Sequence, residues 1–239
     1  MSGIYLYQVV HLAAGKSRNV EGHVAVLDAA SRRLFGRPYA PGAAALARRI
    51  EALAAAERYP SGVSGFVRLE LDAEGRERLL PAGISLYNGY AFRSLTPAAV
   101  TLSYDIPFSE APTSVREAAA EWARHEAVRR GADVAVRCDR QGVVRDADDA
   151  PLLGIAGHTA RISPGLAGVE RELALKAARA CGLEVREEPL LREELQQMDE
   201  LFFVDHRGVT ALSHCDGHPL MTLLAERVAA ALESLFPKK

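Results

Sequence analysis

Lysine is scarce in this 239-residue chain: of 29 basic residues only Lys16, Lys176, Lys238 and Lys239 are lysines, and the rest are arginine. Chemistry that needs a nucleophilic amine therefore has few places to occur, because a guanidinium stays protonated and does not attack a carbonyl. Cysteine is scarce as well. Cys138, Cys181 and Cys215 are odd in number and widely spaced, which argues for reduced thiols and against a disulfide framework, and none stands at metal-ligand spacing from another. A basic excess is missing too. A formal net charge of -2 and a pI near 6.4 leave nothing to neutralise phosphates, so no nucleic-acid partner is expected. The opening MSGIYLYQVVHLAAGK has no basic segment ahead of its apolar stretch, and no run approaches the ~18 apolar residues of a spanning helix. The expectation is a cytoplasmic protein with no membrane partner. Internal repeats and low-complexity tracts are also absent.

What remains is an ordinary globular composition, 49% hydrophobic and 25% charged, long enough for one large domain or two small ones. IYLYQVVHL, residues 4 to 12, is β-branched and aromatic and reads as a strand, with Gly15 turning it into a second short segment. Apolar spacing predicts helices over about Val24 to Leu34 and Gly42 to Arg58. GFVRLELD and AAVTLSYD alternate as strands should, and ISLYNGYAF does so less cleanly. IPFSEAPTS, with two prolines and no periodicity, reads as a linker. We therefore expect a small α+β domain over 1–108, a linker at 109–113 and a larger α+β domain over 114–239.

In the larger part, Ser114 with Glu117 suits a helix start and Gly131 a helix stop. Strands are expected at 132–138, 142–145, near 152–155, near 158–162, at 183–187, 200–204 and 209–213. Helices are expected at 168–181, 192–197 and 219–235. Most of these strands are too close together for parallel crossovers, so α+β is expected rather than a doubly wound sheet.

Three stretches in order carry a resemblance: HEAVRRGADVAVRCDRQGVVRD, then ISPGLAGVERELALKAARACGLEVREEPLLREEL, then MDELFFVDHRGVTALSHCDGHPL. Together they resemble the cofactor-binding domain of the class IV aminotransferases and aminodeoxychorismate lyases, the fold-type-IV pyridoxal-phosphate proteins. GHVAVLDAASRRL is similar to an early helix of that family carrying a His-x-x-Arg-Leu pattern. The resemblance implies a two-domain α+β architecture like that of D-amino-acid aminotransferase, a homodimer, a site between domains and pyridoxal phosphate as cofactor.

Position by position, the resemblance implies losses. The Schiff-base lysine falls at Thr113, eighteen residues before Gly131, and a threonine cannot form an imine. Arg116 is the nearest basic residue. The phosphate-gripping arginine falls at Val26, three residues after His23. The carboxylate that pairs with the pyridine nitrogen falls at Asp146, and an asparagine five residues on is matched by Pro151. After Pro164-Gly165 the phosphate-binding helix end carries Leu166-Ala167 where the family has an Ile-Thr pair. The backbone N–H groups there keep their attraction for an anion. The second phosphate loop reads VDHRGVT, around Asp205 and His206. The reading is a divergent member without covalent cofactor chemistry, acting as a binding protein or an enzyme of altered mechanism, with a small anionic or amino-acid-like ligand. The alternative is a working pyridoxal-phosphate lyase or aminotransferase whose lysine lies elsewhere.

Other chemistry is weighed on its residues. Asp205, His206, His214, Cys215, Asp216 and His218 could ligate zinc, but their spacing fits no ligand pattern. SHCDGHPL reads better as a hairpin with Asp-Gly at its tip, and no metal is assigned. Cys138 and Cys181 read as small core residues rather than nucleophiles. Asp146, Asp148 and Asp149 read as a solvated turn before a proton-transfer or cation site. Trp122 and His125 read as helix packing.

Overall fold

The structure, a computed structural model, describes residues 3–93 and 95–236. Lys238 and Lys239 lie outside the described residues. The chain forms two compact units. Of the described residues, the first contains 3–89, 108–115 and 166–169, and the second contains 90–93, 95–107, 116–165 and 170–236.

In the first unit, strands β1 (Tyr5–Ala13), β2 (Lys16–Ser17), β3 (Gly65–Asp72) and β4 (Glu77–Ile84) form an antiparallel sheet in the order β2-β1-β3-β4. Gly15, with φ of 72°, makes the turn between β1 and β2, as its position suggested. Strand period two puts Leu6, Val10 and Leu12 of β1 in one core cluster with Val67, Leu69 and Leu71 of β3. Helices α1 (Val20–Phe35) and α2 (Ala43–Ala56) complete that core. They bring Leu27 and Ala30 from one helix and Leu46, Ile50 and Ala54 from the other.

Two elements differ from expectation. Helix α1 begins four residues earlier than Val24, because Asn19 takes a left-handed conformation just before it and Gly22 masks the helical signal of the first turn. Strand β4 was not foreseen, since Pro81 and Gly83 interrupt its pattern. Pro81 is tolerated because β4 is the last strand of the sheet, with β3 on one side only. ISLYNGYAF supplies only the end of β4 and the two-residue strand β5 (Ala91–Phe92).

The second unit is built on two sheets. Strands β6 (Ala98–Ser103), β7 (Val134–Cys138) and β8 (Val144–Ala147) belong to one, with β14 (His214–Cys215) and β15 (His218–Pro219), in the order β15-β14-β6-β7-β8. Strands β9 (Leu152–Ala156), β10 (Thr159–Ile162), β11 (Glu184–Glu187), β12 (Glu200–Asp205) and β13 (Gly208–Ala211) join β5 in the order β11-β10-β9-β12-β13-β5. Only the two connections long enough to hold a helix join consecutive strands in parallel. Helix α3 (Ser114–Arg129) links β6 to β7, and α4 (Val169–Ala180) links β10 to β11. Tight turns make β7–β8, β9–β10 and β12–β13 antiparallel.

The expected helix over 192–197 is a 3-10 helix (Arg192–Gln197), and the last helix, α5 (Leu223–Ser234), starts later than Pro219 because β15 takes His218–Pro219. Ser114 is the first residue of α3, not a residue ahead of it, and its hydroxyl accepts the Tyr5 N–H at 3.3 Å. The core of this unit gathers Val134, Val136, Leu152, Met198, Leu201, Phe203 and Leu212. Gly154 is required by that packing: a Cβ there would lie 2.9 Å from the Met198 sulfur.

Candidate functional site

Asp146 sits on β8 with its carboxylate buried beneath two arginines. Arg137 of β7 reaches Oδ2 through Nε at 2.9 Å and Nη2 at 2.5 Å. Arg116 of α3 donates to the same oxygen from Nη2 at 3.1 Å and also pairs with Asp149. Arg116 and Arg137 are themselves buried, so four charges of alternating sign are held inside the unit. The turn that presents Asp149 is tight. Asp148 and Asp149 have φ of 48° and 65°, left-handed values that aspartate accepts more readily than most residues. Ala147 and Ala150 bridge across it.

The solvated turn expected here is corrected. Asp149 is paired with Arg116, and Asp148 with Arg124 at 3.4 Å. Burial raises the Asp148 carboxyl above its usual range, against the pull of Arg124. The Tyr104 phenol is also raised, first by burial and then by the Asp146 charge, and the Arg137 guanidinium lies 5.9 Å from its ring centroid.

Thr113 belongs to the first unit. It is fully buried, its N–H donates to the Ala111 carbonyl at 2.9 Å, and it forms an antiparallel bridge with Leu6. Val26 lies half-buried on α1. One turn before it, buried His23 places Nδ1 2.9 Å from the Gln8 side-chain oxygen. The described lysines lie elsewhere. Lys16 pairs with Glu51 at 2.8 Å and Lys176 faces Glu172 at 3.9 Å, and both side chains are well exposed.

The two expected phosphate contacts also take particular forms. Helix α4 opens at Val169, so Leu166 and Ala167 precede the helix instead of supplying its first N–H groups, and Gly165 is exposed. The second loop is a two-residue turn between Asp205 and Gly208, which pair across β12 and β13. Asp205 Oδ1 accepts the Arg207 N–H at 2.8 Å. Gly208 is fixed by close approach, with φ of 135° and a would-be Cβ 2.1 Å from the Ala91 carbonyl oxygen.

The charges around that turn are mixed, with Arg207 in it and Arg93 beside it both acting on His206. Burial pushes the His206 imidazole down to about 4, so it is neutral at pH 7. Burial, with the Asp205 charge adding, pushes Glu170 in the first turn of α4 up to about 7. Arg93 Nη1 lies 3.9 Å from Asp205 Oδ2 and donates to Thr210 Oγ1 at 3.2 Å.

Residues 6–205 match the amino-transferase class IV family. The chain belongs to that family. Solved structures of similar fold include a fold IV transaminase from Curtobacterium pusillum, at 20% identity and a TM-score of 0.80, covering 96% of this chain and 86% of that one. A putative 4-amino-4-deoxychorismate lyase from Legionella pneumophila aligns at 15% identity and 0.79, covering 96% and 90%. An aminotransferase from Brucella abortus, bound to the co-factor PLP, aligns at 19% and 0.78, covering 97% and 88%. At these identities the likeness establishes the fold. No curated protein matches by sequence.

The remaining candidates of this class IV chain resolve physically. SHCDGHPL is a hairpin: His214 pairs with Pro219 and Cys215 with His218, and Asp216 and Gly217 at its tip have φ of 48° and 81°. Asp216 accepts from Thr101 at N and Oγ1, 2.9 and 2.6 Å away, pinning the tip to β6. Among the described residues, no group of three His, Cys, Asp or Glu is placed to hold a metal. Burial pushes Cys138 up to about 11 and Cys215 up to about 12, so neither is a ready nucleophile. Trp122 and His125 correct the packing expectation: both are exposed, with His125 on Glu121 at 3.0 Å and Trp122 edge-on to Tyr104. Among the described residues, no helix is long and apolar enough to cross a membrane.

Sequence reasoning missed Arg137 altogether and weighed Arg116 only as a failed substitute for lysine. A signal for Arg137 was available, since it is the one charge inside the apolar strand VAVRC, and a buried charge demands a partner.

Proposed function

We propose that this class IV chain has given up covalent pyridoxal-phosphate chemistry and serves as a non-covalent binding protein for a small amino-acid-like ligand. The observation that carries the reading is that Thr113, at the position the family resemblance gives to the imine-forming lysine, is buried just ahead of α3, while Lys16 and Lys176 are exposed on other elements. A hydroxyl supplies no imine. Pyridoxal phosphate does not fit the remaining residues either. Asp146 is taken up by two guanidinium groups, Val26 offers no cation, and Arg207 shares the 205–208 turn with the Asp205 carboxylate and a neutral imidazole.

The test uses the purified chain and pyridoxal phosphate. We expect no new near-visible absorbance band, and no lysine stoichiometrically labelled after borohydride reduction and peptide mass spectrometry. A band abolished by borohydride, with the label on one lysine, would overturn the reading in favour of a working lyase or aminotransferase.

We further propose a homodimer located in the cytoplasm, and a functional division into a small part over 1–108, a linker at 109–113 and a large part over 114–239. Sedimentation velocity should give a species of twice the chain mass of 25.8 kDa, and a monomer at micromolar concentration contradicts the dimer.

A further inference from the structure

We propose that Arg116 is a built-in cation that claims the Asp146 carboxylate and denies it to the protonated ring nitrogen of a bound pyridine. The inference rests on the reading above that cofactor chemistry has been lost, and adds how the cofactor's acidic anchor has been reused.

The geometry is specific. Asp146 Oδ2 receives three N–H groups, one from Arg116 at 3.1 Å and two from Arg137 at 2.9 and 2.5 Å. A carboxylate oxygen offers two lone-pair directions, so Oδ2 is filled by the chain's own donors and a ligand is left with Oδ1, beside two guanidinium charges. Arg116 is held from the other side by Asp149, and the left-handed turn at Asp148 and Asp149 places that second carboxylate. Two arginines and two aspartates cancel in formal charge. The cluster therefore needs no external cation, and a pyridinium brought to Asp146 would stand against two buried guanidinium charges already paired with it.

Position matters as much as charge. Arg116 lies three residues after Thr113, within the first turn of α3. The same short segment thus replaces an amine with a hydroxyl and adds a cation directed at the anchoring carboxylate.

The experiment uses pyridoxamine 5′-phosphate, whose amine cannot condense with lysine, so it reads ring binding and not covalent capture. Titration calorimetry should give no saturable binding to the wild-type chain and a saturable signal with Arg116→Asn, at least about tenfold tighter than any wild-type signal. Arg116→Gln with Asp149→Asn removes one charge of each sign and carries the test if the single variant does not fold. The wild-type melting temperature should stay constant as the compound is raised to millimolar concentration. The proposal is overturned if the folded variants bind no more tightly than the wild type, or if the wild type binds one equivalent and is stabilised by it. A labelled lysine in the borohydride experiment would refute the loss of covalent chemistry without altering this comparison, so the two failures are distinguishable.

Discussion

Asp146→Ala should cost about 3–5 kcal/mol of folding stability, the range for removing one partner from a buried ion pair. The size follows from what is left behind. Arg116 and Arg137 are 2% and 5% exposed, and Asp146 answers both guanidinium groups at hydrogen-bond distance. Without it Arg137 loses its two Asp146 contacts, and Arg116 keeps only its pairing with Asp149 among these. Asp146→Asn keeps the shape and one acceptor oxygen but loses the charge, so it should fall between alanine and wild type. Replacing Arg137 by methionine in the Asp146→Ala background should recover part of the loss, because the orphaned charge goes with it. Urea denaturation of the four proteins checks this: a cost under about 1 kcal/mol for Asp146→Ala would show that the cluster is hydrated, as exposed ion pairs are.

The same cluster shows where sequence reading stops. Asp146 could be picked out because it follows a hairpin in a family-like order, and the strands around it alternate well enough to be placed. GFVRLELD became β3 over its full length, since β-branched and apolar residues at period two leave little ambiguity. The Asp-Gly hairpin at 216–217 was equally legible, because its turn demands positive φ at both residues. Pairing of charges across elements was not. Arg116 is on α3, Arg137 on β7 and Asp149 on a turn, and only the parallel crossover from β6 to β7 and the antiparallel return to β8 bring them together. Local pattern carries no information about such contacts. Strand β4 was lost for a related reason, since edge position alone makes its proline acceptable, and edge position is a property of the sheet.

A second large effect is expected at Glu200, a residue that sequence reasoning had placed only as part of a strand. Its side chain is buried, at the start of β12, and both oxygens point at the amino end of α5. Leu224 N–H donates to Oε1 at 2.8 Å and Ala225 N–H to Oε2 at 2.9 Å. Thr222, the residue at the cap position, makes no capping bond with its own side chain. Glu200 thus does from another strand what a local Ser or Asp does for most helices, and its charge is favoured by the positive end of the helix dipole. Glu200→Ala loses two charge-assisted bonds and leaves two N–H groups facing a buried gap, for an expected cost of about 3–4 kcal/mol. Glu200→Gln retains one acceptor and turns an amide donor toward the other N–H, so about 1–2 kcal/mol is expected. Adding Thr222→Asp to Glu200→Ala should return about 1 kcal/mol by restoring a local cap. Hydrogen exchange at Leu224 and Ala225 separates this account from simple loss of packing: the two amides should lose protection in Glu200→Ala and regain part of it in the double variant, whereas a packing defect would leave the rescue without effect.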